Sequence, residues 1–187
     1  ETYGASGWDL TFEDQKRIGD WEYALGVNLL NQPLSYMTIA GARKRDHPLS
    51  FSYHEPWWPH YGLLADYFGR LSVAMSKGRQ LSRVLVLEPT TTAWMYYSPE
   101  GSSPRLDEIG RGFQDLLNGL EAAQVEYDLG SEWTLKTHGR VSGRALAVGE
   151  ASYNLLVLPD GVESVSAETA GLLERYLKKG GRILGLG

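Results

Sequence analysis

The chain has no cysteine among its 187 residues, and this absence excludes disulfide bonds and thiolate metal sites. The absence does not distinguish one cellular compartment from another, because proteins without cysteine occur both inside and outside cells. A cytoplasmic and a secreted protein are therefore equally compatible with the composition.

Long apolar runs and clusters of basic residues are also missing. No stretch approaches the roughly 20 apolar residues that a membrane helix needs. The formal net charge is −5, and no run of Lys and Arg counteracts it. Because nucleic acids and anionic membranes attract basic surfaces, we expect neither of them as a partner.

The residues that are present have an ordinary globular composition, but the aromatic ones are unevenly placed. Hydrophobic residues make up 42% of the chain and charged residues 22%, which is typical of a folded protein with one ordinary core or two small ones. Most of the tryptophans precede residue 95: Trp8, Trp21, Trp57, Trp58 and Trp94. This asymmetry indicates that the first eighty residues differ in kind from the rest.

The first eighty residues predict a helix, a strand, a long loop and a second helix. Thr11 and Asp14 have the spacing of a capping box, which opens a helix that carries Ile18, Trp21 and Leu25 on one face and ends at Gly26. Val27 to Leu30 is typical of a short buried strand. From Leu34 to Pro59 glycine and proline interrupt every periodicity, and a helix with apolar residues at helical spacing follows from near Tyr61.

A long loop between a strand and its helix is where (β/α)₈ barrels place their active sites. We therefore interpret residues 1–80 as the C-terminal part of such a barrel. The chain starts at Glu1 without an initiator Met and stops abruptly at Gly187, so we expect a piece of a longer protein.

Residues 81–187 predict a plain alternation of strands and helices. The expected strands are Val84 to Leu87, Val125 to Tyr127, Leu155 to Leu158 and Arg182 to Leu184, and the expected helices run from Leu106 to Leu120 and from Ser166 to Lys179. This alternation is typical of an open parallel sheet. We predict an α/β chain with a truncated flavodoxin-like domain in its second part.

Several short motifs, in this order, resemble large bacterial glycoside hydrolases of the α-L-rhamnosidase-like and β-galactosidase-like kind. They are Glu1-Thr2-Tyr3-Gly4-Ala5-Ser6-Gly7-Trp8, Gly19-Asp20-Trp21, Leu25-Gly26-Val27-Asn28, Lys44-Arg45-Asp46-His47-Pro48, Tyr153-Asn154-Leu155-Leu156-Val157-Leu158-Pro159 and Gly180-Gly181-Arg182. The resemblance implies a bacterial protein in which a catalytic (β/α)₈ barrel precedes a class I amidotransferase-like α/β domain. It also implies a carbohydrate substrate and a two-carboxylate mechanism in the longer protein, with the piece itself inactive.

Two carboxyl groups are the candidates for catalysis, because glycoside hydrolysis needs an acid and a second carboxylate at a defined distance. Glu1 is placed by the resemblance at the end of a barrel strand that faces the sugar, and Glu55 lies beside two tryptophans in the long loop. A solvated or purely structural carboxylate is the alternative at both positions. For Asp46 an ion pair with Arg45 is the favoured interpretation.

The candidates for substrate binding surround these carboxyl groups. Tryptophan faces stack on the C–H faces of sugar rings, while polar side chains bind the hydroxyl groups. The set comprises Asn28, Gln32, Tyr36, Arg45, His54, Trp57 and Trp58. Adjacent tryptophans can equally fasten a helix to its domain, and we expect Trp57 and Trp58 to divide these two tasks between them.

No metal or cofactor is expected. His54, Glu55 and His60 lack the spacing of a zinc site on a helix, and two prolines interrupt the segment. Gly185-Leu186-Gly187 is an incomplete dinucleotide fingerprint. The absence of cysteine excludes the nucleophile that active amidotransferases require.

A non-catalytic module for carbohydrate binding or assembly is the alternative function. The resemblance allows it, because relatives use the α/β domain to form oligomers. In that interpretation the α/β domain supports a homo-oligomer and the aromatic loop is an interface.

Overall fold

The computed structural model of the chain describes residues 1–33, 35–101 and 103–187. Leu34, the first residue of the expected loop, lies outside the described residues. The chain forms two compact units, Glu1–Gln80 and Leu81–Gly187, and it has the predicted α/β class. Within the described residues no helix is both long and apolar enough to cross a membrane.

Helix α1 (Phe12–Ala24) of the first unit begins at the predicted capping box. The Asp14 backbone N–H donates to Thr11 Oγ1 at 3.1 Å, and the Thr11 N–H donates to the Asp14 carboxylate at 3.4 Å. These bonds satisfy donors that a helix start otherwise leaves unpaired. The helix ends just before Gly26, whose φ of +100° requires glycine.

Only Ile18 of the predicted apolar face of α1 packs into a core. Gln15, Gly19 and Tyr23 are buried, whereas Trp21 is 62% exposed and Leu25 is 50% exposed. The reason is a close approach at Gly19, where an added Cβ would lie 2.4 Å from the Phe68 ring. The face of α1 that packs is therefore the one that carries the small residue Gly19, and the pattern of hydrophobic residues alone did not predict it.

Helix α2 (Gly62–Met75) follows the expected loop and buries Leu64 and Phe68. These side chains pack with Tyr23 of α1 in one small core. A second small core contains Tyr3, Leu49 and Phe51. Two short 3₁₀ turns, Gly41–Arg45 and Trp58–His60, lie between the helices.

The strand predicted at Val27 to Leu30 is wrong. The segment has no strand partner among the described residues, and Leu29 is 74% exposed. A strand needs a ladder of backbone hydrogen bonds with a neighbour, and an apolar run cannot supply one by itself.

The second unit contains seven short strands and four helices within its described residues. The strands are β1 (Val84–Leu87), β2 (Tyr127–Gly130), β3 (Gly139–Ser142), β4 (Ala145–Val148), β5 (Ala151–Tyr153), β6 (Leu155–Leu158) and β7 (Arg182–Gly185). The helices are α3 (Thr90–Met95), α4 (Pro104–Ala122), α5 (Glu132–His138) and α6 (Ala167–Lys178). The predicted strand after α4 begins two residues later than expected, at Tyr127.

Four of the strands form the expected parallel sheet, in the order β2-β1-β6-β7. Val84 pairs with Tyr127 on one side and with Leu155 on the other. The sheet buries Leu85, Leu87 and Leu156 against α5 and α6, with Tyr176 fully buried. This is the main core of the second unit.

Strands β3, β4 and β5 form a separate antiparallel sheet that the sequence did not predict. Leu146 of β4 and Tyr153 of β5 belong to the same core as the parallel sheet. The Tyr153 hydroxyl donates to Asp128 Oδ2 at 2.7 Å, and its pKa is raised by burial and by that carboxylate. The second sheet is thus an extension of one core.

Two buried polar side chains, Thr92 and Glu132, hold the segment before α6 by hydrogen bonds to its backbone. Thr92 of α3 accepts the backbone N–H groups of Glu163 and Ser164 at 3.0 Å each, and its hydroxyl donates to the Ser164 carbonyl at 3.1 Å. Glu132 of α5 accepts the Ser166 backbone N–H at 2.6 Å. Each bond replaces water on a group that burial would otherwise leave unsatisfied.

Candidate functional site

The aromatic segment before α2 is built around Tyr61. The Trp57 ring packs edge-on against Phe12 and Phe51, with ring centroids 5.4 and 5.7 Å apart, and lies 5.5 Å from Tyr61. Trp58 stacks on Tyr61, with ring centroids 5.4 Å apart and an interplanar angle of 12°. Trp57 therefore lies within a packed cluster, while Trp58 remains 39% exposed.

Gln32 is connected to this cluster from the segment after α1. Its Nε2 donates to the Tyr61 hydroxyl at 2.7 Å. Burial raises the pKa of Tyr61, and the bond from Gln32 opposes that rise. Gln32, Tyr61 and Trp58 thus form one surface group in which an amide, a phenol and an indole lie together.

A second polar group links Tyr36 to His54 through two serines. The Tyr36 backbone N–H donates to Ser50 Oγ at 3.1 Å, and His54 Nδ1 lies 3.2 Å from Ser50 Oγ and 2.9 Å from Ser52 Oγ. The alternating positions 50, 52 and 54 bring the serine and histidine side chains to one side of the chain. Burial raises the pKa of Tyr36, and Asp46 raises it further.

Glu55 is buried directly after His54, with only 4% of its surface exposed. Burial raises the pKa of its carboxyl group, against smaller lowering effects of the Ser50 backbone and His54. Its Oε1 has no hydrogen-bond partner in the structure. Such surroundings shift the carboxyl group towards its protonated form relative to a solvated glutamate.

Glu1 is exposed, but the two residues after it are fixed. Its Oε1 lies 3.1 Å from where a Cβ on Gly4 would stand, so the carboxylate folds back over the turn. Thr2 Oγ1 donates to Glu22 Oε2 at 2.7 Å, and the Tyr3 hydroxyl donates to the Gln15 carbonyl at 2.7 Å.

The Tyr3 backbone itself is strained. Its φ of +72° lies in the left-handed region, which costs a bulky residue about 1–3 kcal/mol. Stacking of Tyr3 on Phe51, with ring centroids 5.8 Å apart, helps to hold it there. Such strain is found most often where a side chain must be aimed, and here it determines the direction of the turn that begins at Glu1.

Asn28 and Arg45 are exposed. Arg45 is the last residue of a 3₁₀ turn. The expected Asp46–Arg45 ion pair is not seen among the described residues; Asp46 instead lies 3.7 Å from His47 Nε2, with both side chains exposed.

The structure thus connects some of the predicted side chains and leaves others separate. Gln32, Trp57 and Trp58 meet at Tyr61, while the Tyr36 backbone N–H and the His54 side chain meet at Ser50. No hydrogen bond or ion pair among the described residues joins the side chains of Glu1, Asn28 or Arg45 to either group.

Sequence reasoning missed Tyr61, Ser50 and Ser52 as members of these groups. The alternation Ser-Phe-Ser-Tyr-His from position 50 was the available signal for the serines. Within the described residues no three His, Asp or Glu side chains are placed to hold a metal ion.

Comparisons with known proteins point to carbohydrate enzymes. No protein-family model matches the chain. It is similar to a protein of Formosa agariphila named "Putative beta-glucuronidase", with 24% identity over 188 residues that cover 97% of this chain and 14% of that protein. Its fold is similar to that of a rhamnosidase from Novosphingobium sp. PP1Y, with a TM-score of 0.62 and 17% identity over 96% of this chain and 16% of the other.

Both similar proteins carry the names of glycoside hydrolases. The chain spans about one seventh of the length of the first protein and about one sixth of the second, as the shares of 14% and 16% indicate. The α/β architecture is therefore shared with a small part of a rhamnosidase.

Proposed function

We propose that this chain is part of a glycoside hydrolase that cleaves glycosidic bonds with two carboxyl groups, and that its first unit contributes to the sugar site. The observation that carries the proposal is the 39% exposed Trp58, which stacks on Tyr61, together with the hydrogen bond from Gln32 to the Tyr61 hydroxyl. An indole face with hydrogen-bonding groups at its edge is what a sugar ring requires. The similarity to proteins named glucuronidase and rhamnosidase supports the same class of reaction.

In this proposal Glu1 is the catalytic carboxylate that the first unit supplies. The fixed turn over Thr2 and Tyr3 holds its backbone, and its exposed side chain is free to meet a substrate. The second carboxyl group then comes from another part of the longer protein. The 187-residue chain by itself is expected to bind sugar without cleaving it.

Glu55 takes a different part, because a carboxyl group that is 4% exposed cannot touch a substrate without rearrangement. The backbone of Ser50 donates a hydrogen bond to its carboxyl group, which links Glu55 to the group of Ser50 and Ser52. We assign Glu55 to the support of that group and keep Tyr36 and His54 as candidates for contact with a bound sugar. Asn28 and Arg45 remain candidates for outer contacts.

The proposal is tested by tryptophan fluorescence during titration with methyl α-L-rhamnopyranoside and methyl β-D-glucuronide. We expect a saturable change for one of these glycosides in the unmodified chain, and its loss in Trp58→Ala. Trp21→Ala is the matched control, because Trp21 is also exposed and lies on α1, outside the aromatic cluster. Absence of any saturable change, or an equal loss in both variants, would contradict the proposal.

Assembly through the second unit is a second candidate, favoured by two exposed tryptophans. Trp94 of α3 is 73% exposed and Trp133 of α5 is 70% exposed. Their helices follow β1 and β2, which are neighbours in the parallel sheet. Light scattering across a range of concentrations separates the two functions: a mass that rises with concentration in the unmodified chain but not in a Trp94→Ser/Trp133→Ser variant supports assembly.

A further inference from the structure

A strongly basic cavity lies in the second unit, and none of its lining residues belongs to the proposed sugar site. It has a volume of about 640 Å³ and is lined by β3, by the turn after it and by the end of α6. Four of its lining residues are cationic: Arg140, Arg175, Lys178 and Lys179. No acidic side chain lines it among the described residues, although the whole chain has a net charge of −5.

A second cavity of about 410 Å³ continues this surface. Arg144 and Arg182 are among its lining residues, again without an acidic one in the described part of the chain. The two cavities are lined by consecutive residues, with Gly143 next to Arg144 and Lys179 next to Gly180. We call these two cavities and the six cationic side chains that line them the basic groove.

Ordinary helix chemistry explains only part of the basic groove. Cations near a helix C-terminus are favoured by the helix dipole, and Arg175 and Lys178 are in the last turn of α6. The helix dipole does not explain the positions of Arg140 on β3, Arg144 in the turn after β3 or Arg182 on β7. The convergence of cations from three further positions needs another reason.

Most of these cations are not neutralised by the protein. Lys178 lies 3.7 Å from Glu174, whereas no ion pair is seen for Arg140, Arg175 or Lys179 in the part of the chain that the structure describes. Arg140 and Arg144 donate to the backbone carbonyls of Gly149 and Gly180, each at 3.3 Å, which orients both guanidinium groups without cancelling their charge. Like charges held together repel each other, and a bound anion removes that repulsion.

We propose that the basic groove binds an anionic glycan, a sugar chain that carries carboxylate or sulfate groups. Cations spread over two adjoining cavities match a ligand with several separated negative charges better than they match one small anion. Guanidinium groups bind carboxylate and sulfate with paired hydrogen bonds. Val141 and Leu172 also line the larger cavity, where the partly buried Val141 adds apolar surface beside the cations.

A single-stranded nucleic acid fits the basic groove less well. Such ligands depend on aromatic side chains on which bases stack, and no aromatic residue lines either cavity in the described residues. The choice of a glycan over other polyanions rests on the proposed function. The position of the basic groove and its preference for anions are independent of that function.

The test is calorimetric titration of the 187-residue chain, at low and high salt, with four probes. The probes are dextran sulfate, polygalacturonate, neutral dextran and a single-stranded DNA oligonucleotide. We expect the chain to bind one or both anionic glycans at low salt, to bind them more weakly at high salt, and to ignore dextran. Binding of dextran sulfate alone assigns the groove to sulfated glycans, and binding of both polymers assigns it to anionic glycans in general.

Two double variants with equal change in charge make the test specific. Arg140→Gln/Arg175→Gln is expected to lower the affinity for the anionic glycan about tenfold or more. Arg70→Gln/Arg111→Gln, which removes two exposed cations outside the groove, is expected to leave it unchanged. Circular dichroism verifies that each variant is folded. The variant Arg140→Lys/Arg175→Lys keeps the charge and is expected to retain most of the affinity for the anionic glycan.

Three results would overturn the proposal: tighter binding of the oligonucleotide than of either glycan, equal losses in both Gln variants, or no binding at low salt. Its failure is distinguishable from failure of the proposed function. The Trp58 titration uses small glycosides and a residue of the first unit, so either experiment can succeed while the other fails.

Discussion

The pKa values of two buried carboxyl groups, Glu132 and Glu55, are shifted in opposite directions because the two groups accept different hydrogen bonds. Burial raises the pKa of both. At Glu132 hydrogen bonds from Thr91, Ser166 and Thr169 outweigh burial, and the net pKa is lowered. At Glu55 burial prevails and the pKa is raised, with Oε1 left without a partner.

Glu132→Gln should therefore destabilise the chain in a pH-dependent manner. A lowered folded pKa contributes stability above the ordinary glutamate pKa of about 4.3, and this contribution is lost as the pH falls through the folded pKa. We expect the free energy of unfolding at pH 7 to fall by about 1–3 kcal/mol, since a charged acceptor is lost. Urea unfolding at pH 7, 5 and 3 measures the difference in free energy of unfolding between the variant and the unmodified chain. An equal difference at all three pH values would show that the charge of Glu132 is not responsible.

Glu55→Gln should have the opposite effect. A raised folded pKa contributes stability that is fully present below the unfolded pKa and is lost as the pH rises through the folded pKa. Glutamine resembles the protonated acid, so the variant should match the unmodified chain at low pH and unfold at a higher temperature at pH 8. Thermal melts from pH 4 to pH 8 provide the comparison, and a lower melting temperature at pH 8 would contradict this account.

At the scale of elements, the contact between α6 and β3 depends on one glycine. A Cβ at Gly139 would lie 2.3 Å from the Leu135 carbonyl oxygen and 2.8 Å from Leu172 Cδ2. Gly139→Ala is expected to lower the free energy of unfolding by about 1–3 kcal/mol, because the core must shift to admit the methyl group.

Gly119→Ala is the matched control for this substitution. Gly119 lies inside α4, and an added Cβ there meets nothing within 4 Å. Alanine should stabilise the helix by about 0.5–1 kcal/mol. Denaturant unfolding of the two variants should therefore give changes of opposite sign, and a stabilised Gly139→Ala would refute the close contact.

The elements that the sequence predicted are those with long periodicity or a defined cap. Helices α1, α4 and α6 carry several apolar positions or a capping side chain each, and β1 and β6 are continuous apolar runs. The antiparallel sheet was missed because its strands lack the continuous run of large apolar residues that marks β1 and β6. Three or four residues of mixed polarity contain too few positions to establish a period.

The candidate site was predictable in its residue types but not in its contacts. The tryptophan pair was visible in the sequence, yet which ring packs and which stays exposed depends on Tyr61, Phe12 and Phe51. The left-handed backbone of Tyr3 could not be predicted, since nothing in the sequence distinguishes a tyrosine held at positive φ.

At the scale of the molecule, the two units differ in how their backbones are held. The second unit buries Val86 and Leu156 completely within a hydrogen-bonded sheet. The first unit contains no strand among its described residues, and its apolar side chains form two small cores. Local opening should therefore cost less in the first unit.

Amide hydrogen exchange measures this difference. We expect the slowest amides in β1 and β6, and fast exchange through residues 35–57, where loop backbone predominates. Equal protection of the 35–57 amides and the β1 amides would contradict the expectation.

The threefold hydrogen bonding of Thr92 has a consequence for the order of folding. Its bond to Ser164 joins residues 72 positions apart, and α3 has only six residues, too few to persist as an isolated helix. Closing so long a loop is entropically costly, and pairing of β6 with β1 shortens the loop that remains to be closed. We therefore expect α3, the short helix after β1, to be among the last pieces of the second unit to become ordered during refolding, although its residues are among the first of that unit to leave the ribosome.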